Sequence, residues 1–130
     1  MSEFELFEAL IMSVEVYVLA SMNFLAILVA YIVAAYVAGK DIPTPVAVGT
    51  SLVYTMFLIP PLSGVIGNVS RTYDLGSHLQ AQFPDSPLAA GAGVPLEITL
   101  SLFCIPMIAS WLGSLYFMHL YIRREATSDN

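Results

Sequence analysis

The chain is predicted to be an all-α membrane protein with three transmembrane helices. Three observations carry this reading. The AVILMFWYC residues make up 58% of the 130 positions and charged residues only 11%, whereas a soluble domain has about 25% charged. The mean hydropathy is +0.79, and a soluble domain of this size has too little interior to bury so much apolar surface. Three charge-free runs, Val16–Gly39, Ile42–Ser70 and Ile98–Ile122, reach or exceed the roughly 20 residues a helix needs to cross hydrocarbon. Period-2 alternation is absent, so a β-barrel does not fit.

The first helix is expected to start near residue 4. Glu3, Glu5 and Glu8 precede the apolar run, and acidic side chains suit a helix N-terminus. That helix is longer than the bilayer and is expected to extend beyond it. The acidic opening lacks the positive charge of a secretory signal or presequence, so the first run reads as a retained span. Gly39 then serves as a helix C-cap, and Lys40–Pro45 reads as a tight hairpin whose two prolines open the next helix. The second span carries Pro60 and Pro61 and the third carries Pro106. Each proline removes a backbone donor and crowds the carbonyl four residues earlier, so both helices are expected to kink.

The connection after the second span is longer. Asp74–Phe83 has Leu75, Leu79 and Phe83 at helical spacing and reads as a short interfacial helix. Pro84–Pro87 breaks it, Leu88–Gly93 is small and flexible in composition, and Glu125–Asn130 is a polar tail. The expected organisation is one three-helix domain over residues 1–130. Its spans cover residues 9–39, 43–71 and 95–122, and an outer loop covers 72–94.

Orientation follows from the basic residues. Lys40, Arg123 and Arg124 fall on one side and Arg71 on the other, which predicts a cytoplasmic C-terminus and an outside N-terminus. The opening Met1–Leu6 resembles the openings of small bacterial membrane proteins. That resemblance implies a bacterial inner membrane and no particular activity.

A helical ruler of about 1.5 Å per residue relates the polar groups when each span is measured from its cytoplasmic end. Glu15, Arg71 and Glu97 all lie roughly 36–40 Å away by that rise, forming a candidate outer charge cluster in which Arg71 can pair with either Glu. Asn23, Pro60 and Pro106 all lie at about 24 Å by the same rise. Pro61, Ser63 and Ser101 are near the same depth. Broken helices and polar groups at one depth are the sequence pointer to transport sites, so this layer is a candidate site, with Asn23 expected to face the freed carbonyls. Ala26, Ala30, Ala34 and Ala38 recur every four residues, a spacing that lets two membrane helices pack closely.

Other polar residues point to no chemistry of their own. His119 reads as a residue of the cytoplasmic boundary, and His78 lies in the outer loop. Trp111, Tyr116 and Tyr121 read as packing or interfacial aromatics. Asn68-Val69-Ser70 matches a glycosylation sequon but lies against the membrane. Glu8 and Glu15, seven apart on one helix face, are solvated or line a pore entrance.

Function classes narrow accordingly. Four basic residues against ten acidic ones give a net charge of −6, which disfavours nucleic-acid binding. A single cysteine allows no intrachain disulfide and no cysteine-based metal site. No cofactor motif or catalytic constellation is legible, so an enzyme is not expected. Three closely packed helices leave little room for an internal pathway. The leading expectation is a structural or accessory membrane subunit acting through helix association, as a homo-oligomer or in a larger membrane complex. The alternative is a homo-oligomeric cation or proton channel with an acidic outer mouth.

Overall fold

The computed structural model describes residues 2–87, 95–122 and 124. The flexible stretch and polar tail expected at Leu88–Gly93 and Glu125–Asn130 lie outside the described residues. Three helices, α1 (Glu3–Ala38), α2 (Thr44–Gln82) and α3 (Leu96–Tyr116), account for nearly all of the described chain, and α3 continues into a six-residue π-helical turn, Phe117–Ile122. No strand occurs among the described residues. All three helices are long and apolar enough to cross a membrane.

α1 begins with a reciprocal cap. The Glu5 N–H donates to Ser2 Oγ, and the Ser2 N–H donates to Glu5 Oε2 at 2.7 Å, which satisfies two of the first turn's free donors. The Glu5 carboxyl is held below the ordinary carboxylate range, first by the Ser2 N–H and then by the Ser2 hydroxyl. At its other end α1 closes into the hairpin, where the Asp41 N–H donates to the Ala38 carbonyl at 3.1 Å. Pro43 caps α2 and Pro45 sits in its first turn, where a missing N–H costs nothing.

One expectation changes here. The stretch Asp74–Phe83 does not form a separate interfacial helix. It is the last part of α2, which runs unbroken to Gln82; the Val69 and Leu79 side chains are both buried against the rest of the chain, so packing carries the helix on. The outer loop expected over 72–94 therefore starts only after Gln82. Gly39 holds the C-cap position expected of it, its N–H donating to the Ala35 carbonyl at 2.8 Å. Its φ of −61° is right-handed, so a left-handed cap is not what requires glycine. A Cβ there would collide first with the Ala35 carbonyl of its own helix and would stand 2.9 Å from Met118 Sδ and 3.0 Å from Ile122 Cγ2, so the glycine serves both the end of α1 and the close approach of the π-helical turn.

α1 and α2 make the largest interface, and α3 joins it mainly through its C-terminal end. Phe24, Leu28, Tyr31 and Ala35 of α1 meet Ala47, Tyr54 and Leu58 of α2, with Met118 beside them. Along α3 itself only Ser114 is fully buried. Its N-terminal half is held by an edge-on contact of Phe103 with Tyr17 of α1, with ring centroids 5.5 Å apart. The circumference is apolar: Val33 is 55% exposed, Phe57 64% and Ile105 65%. In water such a surface would be untenable; against lipid tails it is the normal solvent face. Fold and surface together define an all-helical membrane protein.

Candidate functional site

The polar side chains that the fold gathers lie near the hairpin end. Ser51, seven residues into α2 from Thr44, is buried, and its Oγ has three neighbours. It is 2.8 Å from the Ala47 carbonyl, 2.7 Å from Tyr31 Oη and 2.7 Å from His119 Nε2. A serine hydroxyl offers one hydrogen and two lone pairs. The Ala47 carbonyl can only accept, so with all three bonds made it takes the Ser51 hydrogen. Tyr31 and His119 then both donate to Ser51 Oγ, which selects the Nε2–H form of the imidazole. One hydroxyl thereby joins all three helical segments.

A second set lies one turn further in. Tyr54 Oη is 2.7 Å from Ser114 Oγ, which itself donates to the Trp111 carbonyl at 2.6 Å. Trp111 Nε1–H donates to Thr55 Oγ1 at 3.3 Å. The Tyr31 and Tyr54 rings stack with centroids 3.8 Å apart and planes 8° from parallel, so the two sets are one packed unit. The π-helical turn delivers His119. It widens the helix after Tyr116 while Met118 and Ile122 stay buried, which leaves His119 half-buried against α2.

Tyr31, Ser51, Tyr54, Thr55 and Ser114 were missed in the sequence, and His119 was read only as a boundary residue, although the ruler that defined the outer layer would have found Tyr31, Ser51 and Ser114. Tyr31 is eight residues from Gly39, Ser51 seven from Thr44 and Ser114 eight from Ile122, so all lie about 10–12 Å from the same end. A further polar contact ties α1 to α2 near the opposite end. Ser13 Oγ donates to the Asn68 carbonyl at 3.0 Å and accepts from Thr72 Oγ1 at 2.9 Å.

The expected layer is not assembled around Asn23. That side chain is exposed on α1 and makes no hydrogen bond among the described residues, whereas the neighbouring Phe24 is buried. It therefore does not bond the Met56, Phe57 or Leu102 carbonyls. Ser63 instead donates to the Pro60 carbonyl and Ser101 to the Glu97 carbonyl, each within its own helix. Pro61 is half-buried, and Pro60 and Pro106 are exposed, all three within continuous helix. A shallow groove of about 590 Å³ along α3 collects Glu97, Ser101 and Pro106. Glu15, Arg71 and Glu97 are all exposed, and no ion pair joins them among the described residues. Ala26, Ala30, Ala34 and Ala38 are exposed as well, so the ladder turns away from α2.

The site's chemistry is limited by access. Ser51 and His119 have the separation of a nucleophile and its base. The serine hydrogen is committed to Ala47, however, and Ser51 is only 8% exposed. Neither the groove along α3 nor a smaller cavity near Trp111 is lined by either residue. No group of three or more His, Cys, Asp or Glu side chains suited to a metal occurs among the described residues. The arrangement is a latch holding three helices, built where unsatisfied polar groups would be costly. No family model, curated protein or solved structure matches the chain.

Proposed function

We propose that this chain is a structural or accessory membrane subunit that works by helix association, through the outward face of α1. The observation that carries the reading is the division of that helix. Leu28, Tyr31 and Ala35 turn to the rest of the chain, while Ala26, Ala30, Ala34 and Ala38 stay exposed beside Asn23. Small residues let a second helix approach closely, and in lipid that packing supplies much of the association energy. The Asn23 carboxamide both donates and accepts. A second copy of the same face satisfies it reciprocally, so a homo-oligomer is the favoured form, ahead of a larger membrane complex.

In this reading the protein sits in a bacterial inner membrane with its C-terminus cytoplasmic. The ends of α1 and α2 stand beyond the hydrocarbon, and Pro60, Pro61 and Pro106 bend their helices. The channel alternative draws support from Glu15, which is exposed on α1 and lies eleven residues before Ala26, within about 20° of it around the helix. An oligomer built on the alanine ladder would bring copies of Glu15 together at its outer mouth.

Cross-linking tests the association. In a Cys104→Ser background, Ala30→Cys is expected to form disulfide dimers in membranes, and Leu28→Cys is not. Ala30→Leu with Ala34→Leu is expected to weaken the oligomer, and so is Asn23→Leu. A wild-type chain that stays monomeric in nanodiscs removes the homo-oligomer. Ion flux into liposomes, abolished by Asn23→Leu, would favour the channel over the subunit.

A further inference from the structure

α3 is pinned to α2 at Ser114 and Trp111. Just beyond the Trp111–Thr55 bond, away from the hairpin, the three helices leave a cavity of about 80 Å³. Phe24 closes it from α1. Thr55, Leu58, Ile59 and Leu62 line it from α2, and Met107, Ile108 and Trp111 from α3. Its polar wall atoms are already engaged with each other, since Trp111 Nε1–H donates to Thr55 Oγ1. Nothing in the lining asks for a polar partner, and apolar cavities of this kind do not hold water.

We infer that this cavity is a lipid site that takes the end of a phospholipid acyl chain, entering sideways between Ile59 and Ile108. Three features select that occupant. The two isoleucines are 59% and 41% exposed, so the mouth opens through the apolar circumference of helices that are long enough to span a bilayer. Hydrocarbon is therefore the medium at the opening. The volume, about 80 Å³, is far below the roughly 300–1,000 Å³ of sites that enclose drug-sized ligands. A ring cofactor is too large and a tapering chain end is not. An unfilled void also forfeits dispersion contacts on every wall, and a methylene chain restores them with no polar group to desolvate. The site does not depend on α1 self-association, because its mouth lies between α2 and α3.

The chain carries a single tryptophan, and it forms one wall of the cavity, so its fluorescence reads occupancy directly. The full chain is placed in vesicles of phosphatidylcholine brominated at the middle of one acyl chain, and its emission is compared with that in unbrominated vesicles. The wild type is expected to lose about half of its emission or more, as a largely occupied site requires. Ile108→Phe and Leu62→Phe each fill the cavity, one from α3 and one from α2, and either is expected to reduce that loss by about twofold on the same occupancy argument. Far-UV circular dichroism establishes which filling variant has folded. A wild type that is not quenched overturns the site and means that a protein side chain or nothing fills it. Equal quenching in the wild type and a folded filling variant also overturns it, because the bromines then act only from the surrounding bilayer.

Discussion

Ser51 Oγ stands 2.7 Å from His119 Nε2, and this contact fastens the end of the third helical segment to the beginning of α2. The same oxygen is shared with Tyr31 of α1. Loss of Ser51 therefore leaves two donors without their acceptor. Hydrogen bonds in membrane bundles are worth about 0.6–1.7 kcal/mol each, so Ser51→Ala is expected to cost about 1–3 kcal/mol when both bonds go. A double-mutant cycle of Ser51→Ala with His119→Leu isolates the pair, and reversible unfolding in mixed micelles measures it. A coupling of about 0.6–1.7 kcal/mol is expected. Strict additivity would mean that the contact contributes nothing.

The close passage at Gly39 makes a second prediction. A methyl group there collides with the Ala35 carbonyl and meets Met118 Sδ and Ile122 Cγ2 at 2.9 and 3.0 Å. Met118 is 2% exposed and Ile122 6%, so neither has open space to retreat into. Gly39→Ala is expected to destabilise the chain by about 1–3 kcal/mol, as overpacking does. The loss is expected to show as faster hydrogen exchange in Met118–Ile122. Met118→Ala in the same chain should recover part of it. Unchanged exchange in that segment would refute the steric role of Gly39.

Acidity is expected to act on the start of α1. The Glu5 carboxyl is held below its ordinary value by the Ser2 N–H and then the Ser2 hydroxyl. A depressed folded value means that the cap's contribution is fully present above the unfolded carboxylate range. It is lost as pH falls through the folded value. Hydrogen exchange at the Ser2–Leu6 amides should therefore show more fraying, after correction for intrinsic rates, as the pH drops below that range. Glu5→Gln should weaken the pH response, and a response that survives it would locate the titrating group elsewhere.

The orientation has a direct test. Gly39 and Ile122 meet at one end of the bundle, and in the sequence Lys40 follows the first and Arg123–Arg124 follow the second. A reporter active only in the cytoplasm is expected to work when fused after Asn130 and to stay silent when fused before Met1. The reverse pattern would invert the proposed topology.

The helices were legible in the sequence because their cause is local. A run such as Val16–Gly39 has no charge to exclude it from hydrocarbon, and a backbone in hydrocarbon must satisfy its own hydrogen bonds. The hairpin was legible for a similar reason, since Gly39–Pro45 combines a glycine-led stop with prolines that suit only a first turn. The continuation of α2 through Asp74–Phe83 was not. Pattern alone shows an amphipathic stretch, and whether it joins the preceding helix depends on what Val69 and Leu79 pack against.

The candidate site divides along the same line. Composition and spacing by themselves determined that this is a membrane chain of three helices, with alanines in register on the first and prolines inside the other two. Only the tertiary structure decided which way those residues face. Asn23 and Phe24 are adjacent in sequence, yet one is exposed and the other buried, because a helix turns about 100° per residue. Depth along a helix can be counted from the sequence, but rotation about its axis is set by the neighbours it packs against. That rotation turned Tyr31, Ser51 and His119 toward one another and left the alanine ladder on the outside.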